Sequence, residues 1–175
     1  MGHQQAERPF PLFRIATLFA ASVLGVHLVY WLFLPARFFY PLQEATAHVV
    51  TLLLNLLGVS ASCSGIMVNL PHGRWEIAME CTALSAVIVF LSFLIAYPSL
   101  ARSKLVGALF GIPLLLFANM LRLLLLGLTT AHLPKIANYL HDYVWQVGFL
   151  ILVAVCWVAW IDLVVKRERP TEIPV

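Results

Sequence analysis

Residues Leu105–Thr130 read LVGALFGIPLLLFANMLRLLLLGLTT. A hydrocarbon core needs about 20 consecutive apolar residues in a helix, and this run exceeds that with Arg122 as its one charged side chain. A backbone in lipid must satisfy its own hydrogen bonds, which for a segment of this length means an α-helix. One stretch therefore points to a helical membrane protein with a cation at membrane depth.

Three further apolar runs flank it: Ile15–Leu34, Thr82–Tyr97 and Val144–Val165. Of the 175 residues, 62% are hydrophobic and 11% charged, against about 25% charged in a soluble domain. No stretch outside the runs is long enough to bury a core of its own. That excludes a separate soluble catalytic domain, a nucleic-acid-binding surface and a disulfide-stapled scaffold. The three cysteines, Cys63, Cys81 and Cys156, show no CxxC spacing. The expected fold is an all-α membrane protein, one integral-membrane domain over residues 1–175. It is a bundle of four or five transmembrane helices with a short extracytoplasmic β-hairpin before Cys81.

Charge position sets the expected topology, because short cytoplasmic loops retain Lys and Arg. Arg8 and Arg14 precede the first run, Arg102 and Lys104 separate the second from the third, and Lys166, Arg167 and Arg169 follow the last. Four crossings, at about 15–34, 82–97, 105–130 and 144–165, then place both termini in the cytoplasm. The first run is longer than the 7 to 15 apolar residues of a cleaved signal and reads as a retained anchor. Leu42–Gly58 is interrupted by Gln43, Glu44, His48 and Asn55, which makes it marginal as a span. It reads as an interfacial or re-entrant helix on the outer side.

From about residue 62 to 80 the periodicity alternates: Ile66, Val68 and Leu70 lead into Pro71-His72-Gly73-Arg74, followed by Trp75, Ile77 and Met79. That pattern predicts a β-hairpin. A lone hairpin is marginal in water, so its apolar face should pack on the helix ends and hold Cys81 at a fixed height.

In so apolar a chain the polar residues at membrane depth carry the information, since an Arg at the bilayer centre costs about 2.5 to 3.5 kcal/mol even on insertion scales. Arg122 shares a helix face with Asn119, three positions earlier. An isolated Arg of this kind often snorkels or pins a helix pair. Cys81 stands at the outer start of the second crossing, where a helix N-terminus and a nearby guanidinium favour thiolate and an ionised Glu80 opposes it. Most cysteines in apolar helices are inert, and Cys156 fits that description. His141, beside Asp142, precedes the last crossing on the same side. Short loops make the three helices neighbours, so a thiol, an imidazole and a guanidinium converge from the outer face. Acyl transfer through a thioester needs a nucleophile, a base and an oxyanion-stabilising cation.

Glu80-Cys81-Thr82-Ala83-Leu84-Ser85 at the start of a membrane helix, Asn119-Met120-Leu121-Arg122 late in the next, and His141 before the last resemble the exosortase/archaeosortase family of membrane cysteine transpeptidases. The resemblance covers about Gly58 to Trp160. The short chain, with Pro98 and Pro113, is similar to the smaller subfamilies, exosortase H among them, although the family commonly has more crossings. The resemblance implies an inner-membrane enzyme with an extracytoplasmic site. Such an enzyme cleaves C-terminal sorting signals, each built of a motif, a transmembrane helix and a basic cluster, and transfers the exported protein to a cell-surface acceptor. It makes Cys81 the nucleophile, His141 the acid/base and Arg122 the oxyanion or thiolate stabiliser, with Asn119 and Glu80 in support. The expected partners are such exported proteins and the bilayer. No cofactor, metal or nucleic acid is expected, and the oligomeric state stays open.

Two rival readings remain. A membrane thiol–disulfide oxidoreductase would use Cys63 with Cys81. A non-catalytic subunit would bind haem or metal through His27, His48, His132 or His141.

Overall fold

The computed structural model describes residues 12–33, 35–133, 135 and 145–168. Five helices are described: α1 (Leu12–Phe33), α2 (Tyr40–Leu56), α3 (Leu84–Ala96), α4 (Ala101–His132) and α5 (Trp145–Leu163). Three strands, β1 (Ser62–Ser64), β2 (Met67–Leu70) and β3 (Gly73–Glu76), lie between α2 and α3. The chain is thus mainly helical with one small sheet, as its apolar runs predict.

Three segments among the described residues are long and apolar enough to cross a membrane: Leu12–Val29, Ala101–His132 and Val147–Arg167. The second expected crossing differs in form. Its helical part is Leu84–Ala96, 13 residues, which at 1.5 Å per residue reaches about 20 Å, short of a 30 Å hydrocarbon core. It packs against α1, α4 and α5 and buries Phe90, Ser92, Leu94 and Ala96. A helix enclosed by neighbours need not match the lipid thickness itself.

Helix α4, 32 residues long, is the axis on which two cores are built. Its first half meets α3 and α5 in a cluster containing Phe90, Leu94, Leu115, Val153, Cys156 and Trp160. Glycines allow the close approach. A Cβ on Gly107 would stand 2.6 Å from Trp160 Nε1 and 2.9 Å from Leu94 Cδ2, and one on Gly111 would strike the Phe90 ring. Without a hydrophobic driving force between helices in lipid, such small-residue contacts are a main source of packing energy. The second half of α4 meets α2 and the sheet around Ala47, Val50, Leu54, Val68, Ile77 and Leu123, with Gly127 against Leu54.

The interrupted segment forms helix α2, which buries Ala47, Val50, Thr51 and Leu54 at the 3–4 spacing of one helical stripe. Two of its polar interruptions make tertiary bonds. Gln43 Nε2 donates to the Ile77 carbonyl at 3.0 Å. Asn55 Nδ2 donates to the Ala61 carbonyl at 2.9 Å and its Oδ1 accepts from the Ala61 N–H at 3.0 Å, closing the loop into β1. Glu44 and His48 face each other one turn apart on the exposed side.

The expected hairpin is present as β2–β3, with Leu70 opposite Gly73 and Val68 opposite Trp75. It is extended by a third antiparallel strand, β1, paired Cys63 to Val68. Three strands with one buried face are more self-sufficient than a lone hairpin. Val68 and Ile77 are fully buried, so the sheet is held on α2 and α4 just upstream of Cys81.

Candidate active site

Cys81 lies in an abrupt reversal of the chain. After extended Ala78, residues Met79–Thr82 form one turn of 3-10 helix, in which Cys81 N–H donates to the Ala78 carbonyl at 2.9 Å and Thr82 Oγ1 donates to Met79 O at 2.7 Å. Ala83 then takes a left-handed conformation, φ 63° and ψ −4°, before α3 begins at Leu84. Among the described residues it is the one non-glycine with positive φ. A left-handed L-residue costs about 1 to 2 kcal/mol and persists where its surroundings over-determine it. Cys81 therefore sits three positions ahead of α3 rather than in its first turn, aimed by the reversal.

Helix α4 fastens this reversal from the side. Asn119 Nδ2 donates to the Cys81 carbonyl at 2.6 Å in a buried setting, and Leu123, one turn on, packs in the same core as Cys81. Asn119 and Arg122 share the face that the i, i+3 spacing requires. The guanidinium carbon of Arg122 stands 5.8 Å from the centroid of the Phe149 ring on α5, within the range of a cation–π contact. Asn119 Oδ1 and Arg122 Nε are buried without a hydrogen-bond partner among the described residues. Buried polar atoms are seldom left so, and Arg122 lines the cavity described next, where a bound group can complete it.

These elements enclose a cavity of about 480 Å³ lined by Glu80, Cys81, Ser85, Arg122, Phe149 and Val153, among others. Its apolar wall comes from α3 and α5 and its polar groups from the reversal, the start of α3 and α4. Burial pushes the Cys81 thiol above its ordinary value, while the Arg122 charge and a backbone hydrogen bond at Ala78 pull it down and the Glu80 charge raises it again. Burial wins, so the resting sulfur is a thiol that needs a base to become a nucleophile.

Of the residues singled out in the sequence, Cys81, Arg122, Asn119 and Glu80 are thus brought together. His141 lies outside the described residues. Cys63 is a free thiol that donates to the Gly65 carbonyl at 3.2 Å, and Cys156 is free and buried on α5. Among the described residues no three His, Cys, Asp or Glu side chains gather as a metal set would. The cavity also draws on residues that pattern reading passed over. Phe149 and Val153 are ordinary members of an apolar run and carry no local signal, and Ser85 sits inside the Glu80–Ser85 stretch without being assigned a place.

The family model described as transmembrane exosortase (Exosortase_EpsH) matches residues 12–161. The chain belongs to the transmembrane exosortase family. No curated protein matches it, and no solved structure does. The matched range takes in four of the five helices whole and all but the last two residues of α5. This exosortase is accordingly an integral membrane protein, and Glu80, Cys81 and Arg122 line one cavity between its reversal and α4.

Proposed function

We propose that this exosortase is a membrane-embedded cysteine transpeptidase that cleaves C-terminal sorting signals from exported proteins and transfers them to a cell-surface acceptor. The observation that carries the reading is one cavity lined by both Cys81 and Arg122, in a member of the transmembrane exosortase family. His141 takes the Cys81 proton, and the sulfur attacks the scissile carbonyl carbon. Arg122 stabilises the resulting oxyanion, for which preorganised charge in a water-poor site is worth most. The C–N bond then breaks as His141 returns the proton to the leaving amine. A thioester on Cys81 remains until an acceptor attacks it, His141 removes the acceptor's proton, and the thiol is restored. Asn119 holds the nucleophile through its backbone carbonyl rather than its sulfur.

The substrate's own transmembrane helix packs beside the bundle and presents its juxtamembrane peptide at the level of Cys81, with its basic tail on the Arg102 and Lys104 side. Both termini of the enzyme are then cytoplasmic and the cavity opens on the extracytoplasmic side of the inner membrane. Intact-mass analysis of the wild-type enzyme supplied with a tagged sorting-signal protein and no acceptor is expected to show an acyl adduct on Cys81 that His141→Ala fails to form, and Cys81→Ala is expected to lose processing by at least about a thousandfold. Normal processing by Cys81→Ala would sink the proposal. Equal loss from Cys63→Ser would instead favour a thiol–disulfide exchange enzyme; the Cys63 thiol, bonded within its own strand turn, supports the transpeptidase.

A further inference from the structure

A second, smaller space of about 90 Å³ lies beside the Cys81 reversal, lined by Val26 and His27 of α1, Met79 and Glu80 of the reversal, and Ser85 and Ile88 of α3. It shares Glu80 and Ser85 with the Cys81 cavity, so the two chambers meet at the residue before the nucleophile. A transpeptidase needs two approaches to one carbonyl carbon, one for the acyl donor and one for the acceptor. Arg122 and the large apolar wall are in the first chamber, and the second adds the His27 imidazole to the shared Glu80 carboxylate. The smaller space is several times what one water needs, roughly 10 to 15 Å³, and suits the end of a small acceptor rather than a peptide.

His27 is not an idle lining residue. Its Nδ1 lies 2.9 Å from the Val23 carbonyl oxygen. A carbonyl only accepts, so Nδ1 carries a proton and, in the neutral ring, the lone pair is on Nε2. A base is thus held in a defined tautomer by its own helix, and Glu80 supplies an anion to the same space. We infer that the His27–Glu80 chamber is the acceptor site, and that it takes a primary amine in its ammonium form. This rests on the transpeptidase reading and assigns its second half-reaction.

The step balances with groups already named. Glu80 holds R–NH3+, which gives one proton to His27 Nε2. The freed nitrogen attacks the thioester carbonyl carbon, and the C–S bond breaks with its electron pair passing to Cys81. The second proton on nitrogen passes to His141 and the new amide leaves. The His27 imidazolium, which lines the same space as Glu80, returns its proton to water.

The test uses the full chain in detergent and p-nitrophenyl butyrate, an activated ester that needs no sorting motif. The p-nitrophenolate burst reports acylation of Cys81, and intact mass follows decay of the butyryl adduct with added glycinamide, free in water, or octylamine, which enters the micelle. Saturable acceleration by either amine, and none by ethanol, is expected, and the amine that works tells whether acceptors come from water or from the membrane. Glu80→Gln should raise the half-saturating amine concentration at least about tenfold. His27→Gln should lower the maximal decay rate about a hundredfold with the burst unchanged. Ile88→Phe, which fills the chamber from its apolar side, should block amine but not the burst; a burst of full amplitude, whatever its rate, also shows that each variant is folded at Cys81. If all three keep the wild-type amine dependence while still giving a burst of full amplitude, the acceptor assignment is overturned and the thioester reading stands. If wild type gives no adduct on Cys81, both fall.

Discussion

The two cores along α4 are built by different means. Around its first half, α3 and α5 bring large rings together: Phe93 and Trp157 stack at 4.4 Å, Phe19 of α1 meets both edge-on, and Trp160 Nε1 donates to the Ser103 carbonyl at 2.8 Å. Around its second half the buried side chains are small aliphatics, Ala47, Val50, Val68 and Ile77 among them, and directed hydrogen bonds from Gln43, Asn55 and Asn119 fix the loops. The first core is contact between helices, which tolerates small shifts. The second places Cys81 and Arg122 on one cavity, and hydrogen bonds give it the directionality that apolar contact lacks. Cys81 belongs to the second core, while the Phe149 and Val153 wall of its cavity comes from α5 of the first.

This contrast can be broken from either side. The largest stability loss is expected from Gly107→Leu, because even its Cβ would collide with Trp160. We expect about 3 kcal/mol of destabilisation, seen as a lowered unfolding midpoint in detergent. An unchanged midpoint would show that the glycine contacts do not carry the first core. Asn119→Ala should cost about 1 to 3 kcal/mol by orphaning the buried Cys81 carbonyl. It should also reduce processing far more than Gly107→Leu does in the protein that remains folded, and equal activities at equal folded fractions would erase the distinction between the cores.

The electrostatics of the second core predict a pH signature. Alkylation of Cys81 by iodoacetamide should have a midpoint above that of a free cysteine, because burial raises the thiol. Arg122→Leu removes a charge that favours thiolate and should move the midpoint higher still; Glu80→Gln removes one that opposes it and should move it lower. A downward shift in Arg122→Leu would contradict the geometry. The smallest effect is expected at Ala83, where glycine relieves the left-handed strain and should raise stability by about 1 kcal/mol, checked by the same unfolding midpoint. A loss of stability would mean that the Ala83 methyl, 2% exposed, contributes more by packing than its backbone loses by strain.

Much of this was legible in the residues themselves. Apolar run length is a local property, so Leu105–Thr130 announces a membrane helix without reference to anything it touches, and α4 contains it whole. The alternation around Val68 and Trp75 predicts paired strands, and they pair. The third strand escaped because Ser62–Ser64 is polar at both ends and gains its place only by pairing. The polar residues of α2 marked it as a poor span, but nothing local said that Gln43 and Asn55 would tie it to the sheet and the next loop.

By itself the sequence determined a helical membrane protein with Cys81, Asn119 and Arg122 as the polar exceptions worth inspecting, because hydrophobic length and a charge in an apolar run are read one segment at a time. Tertiary structure alone decided that α3 is short and enclosed, that Ala83 turns left-handed to aim Cys81, and that Phe149 and Val153 close the cavity opposite Arg122. Those outcomes depend on how near the helices approach one another, and glycines at Gly107, Gly111 and Gly127 set that approach through contacts with residues far away in the chain. Distance between segments is the quantity that a linear pattern does not contain.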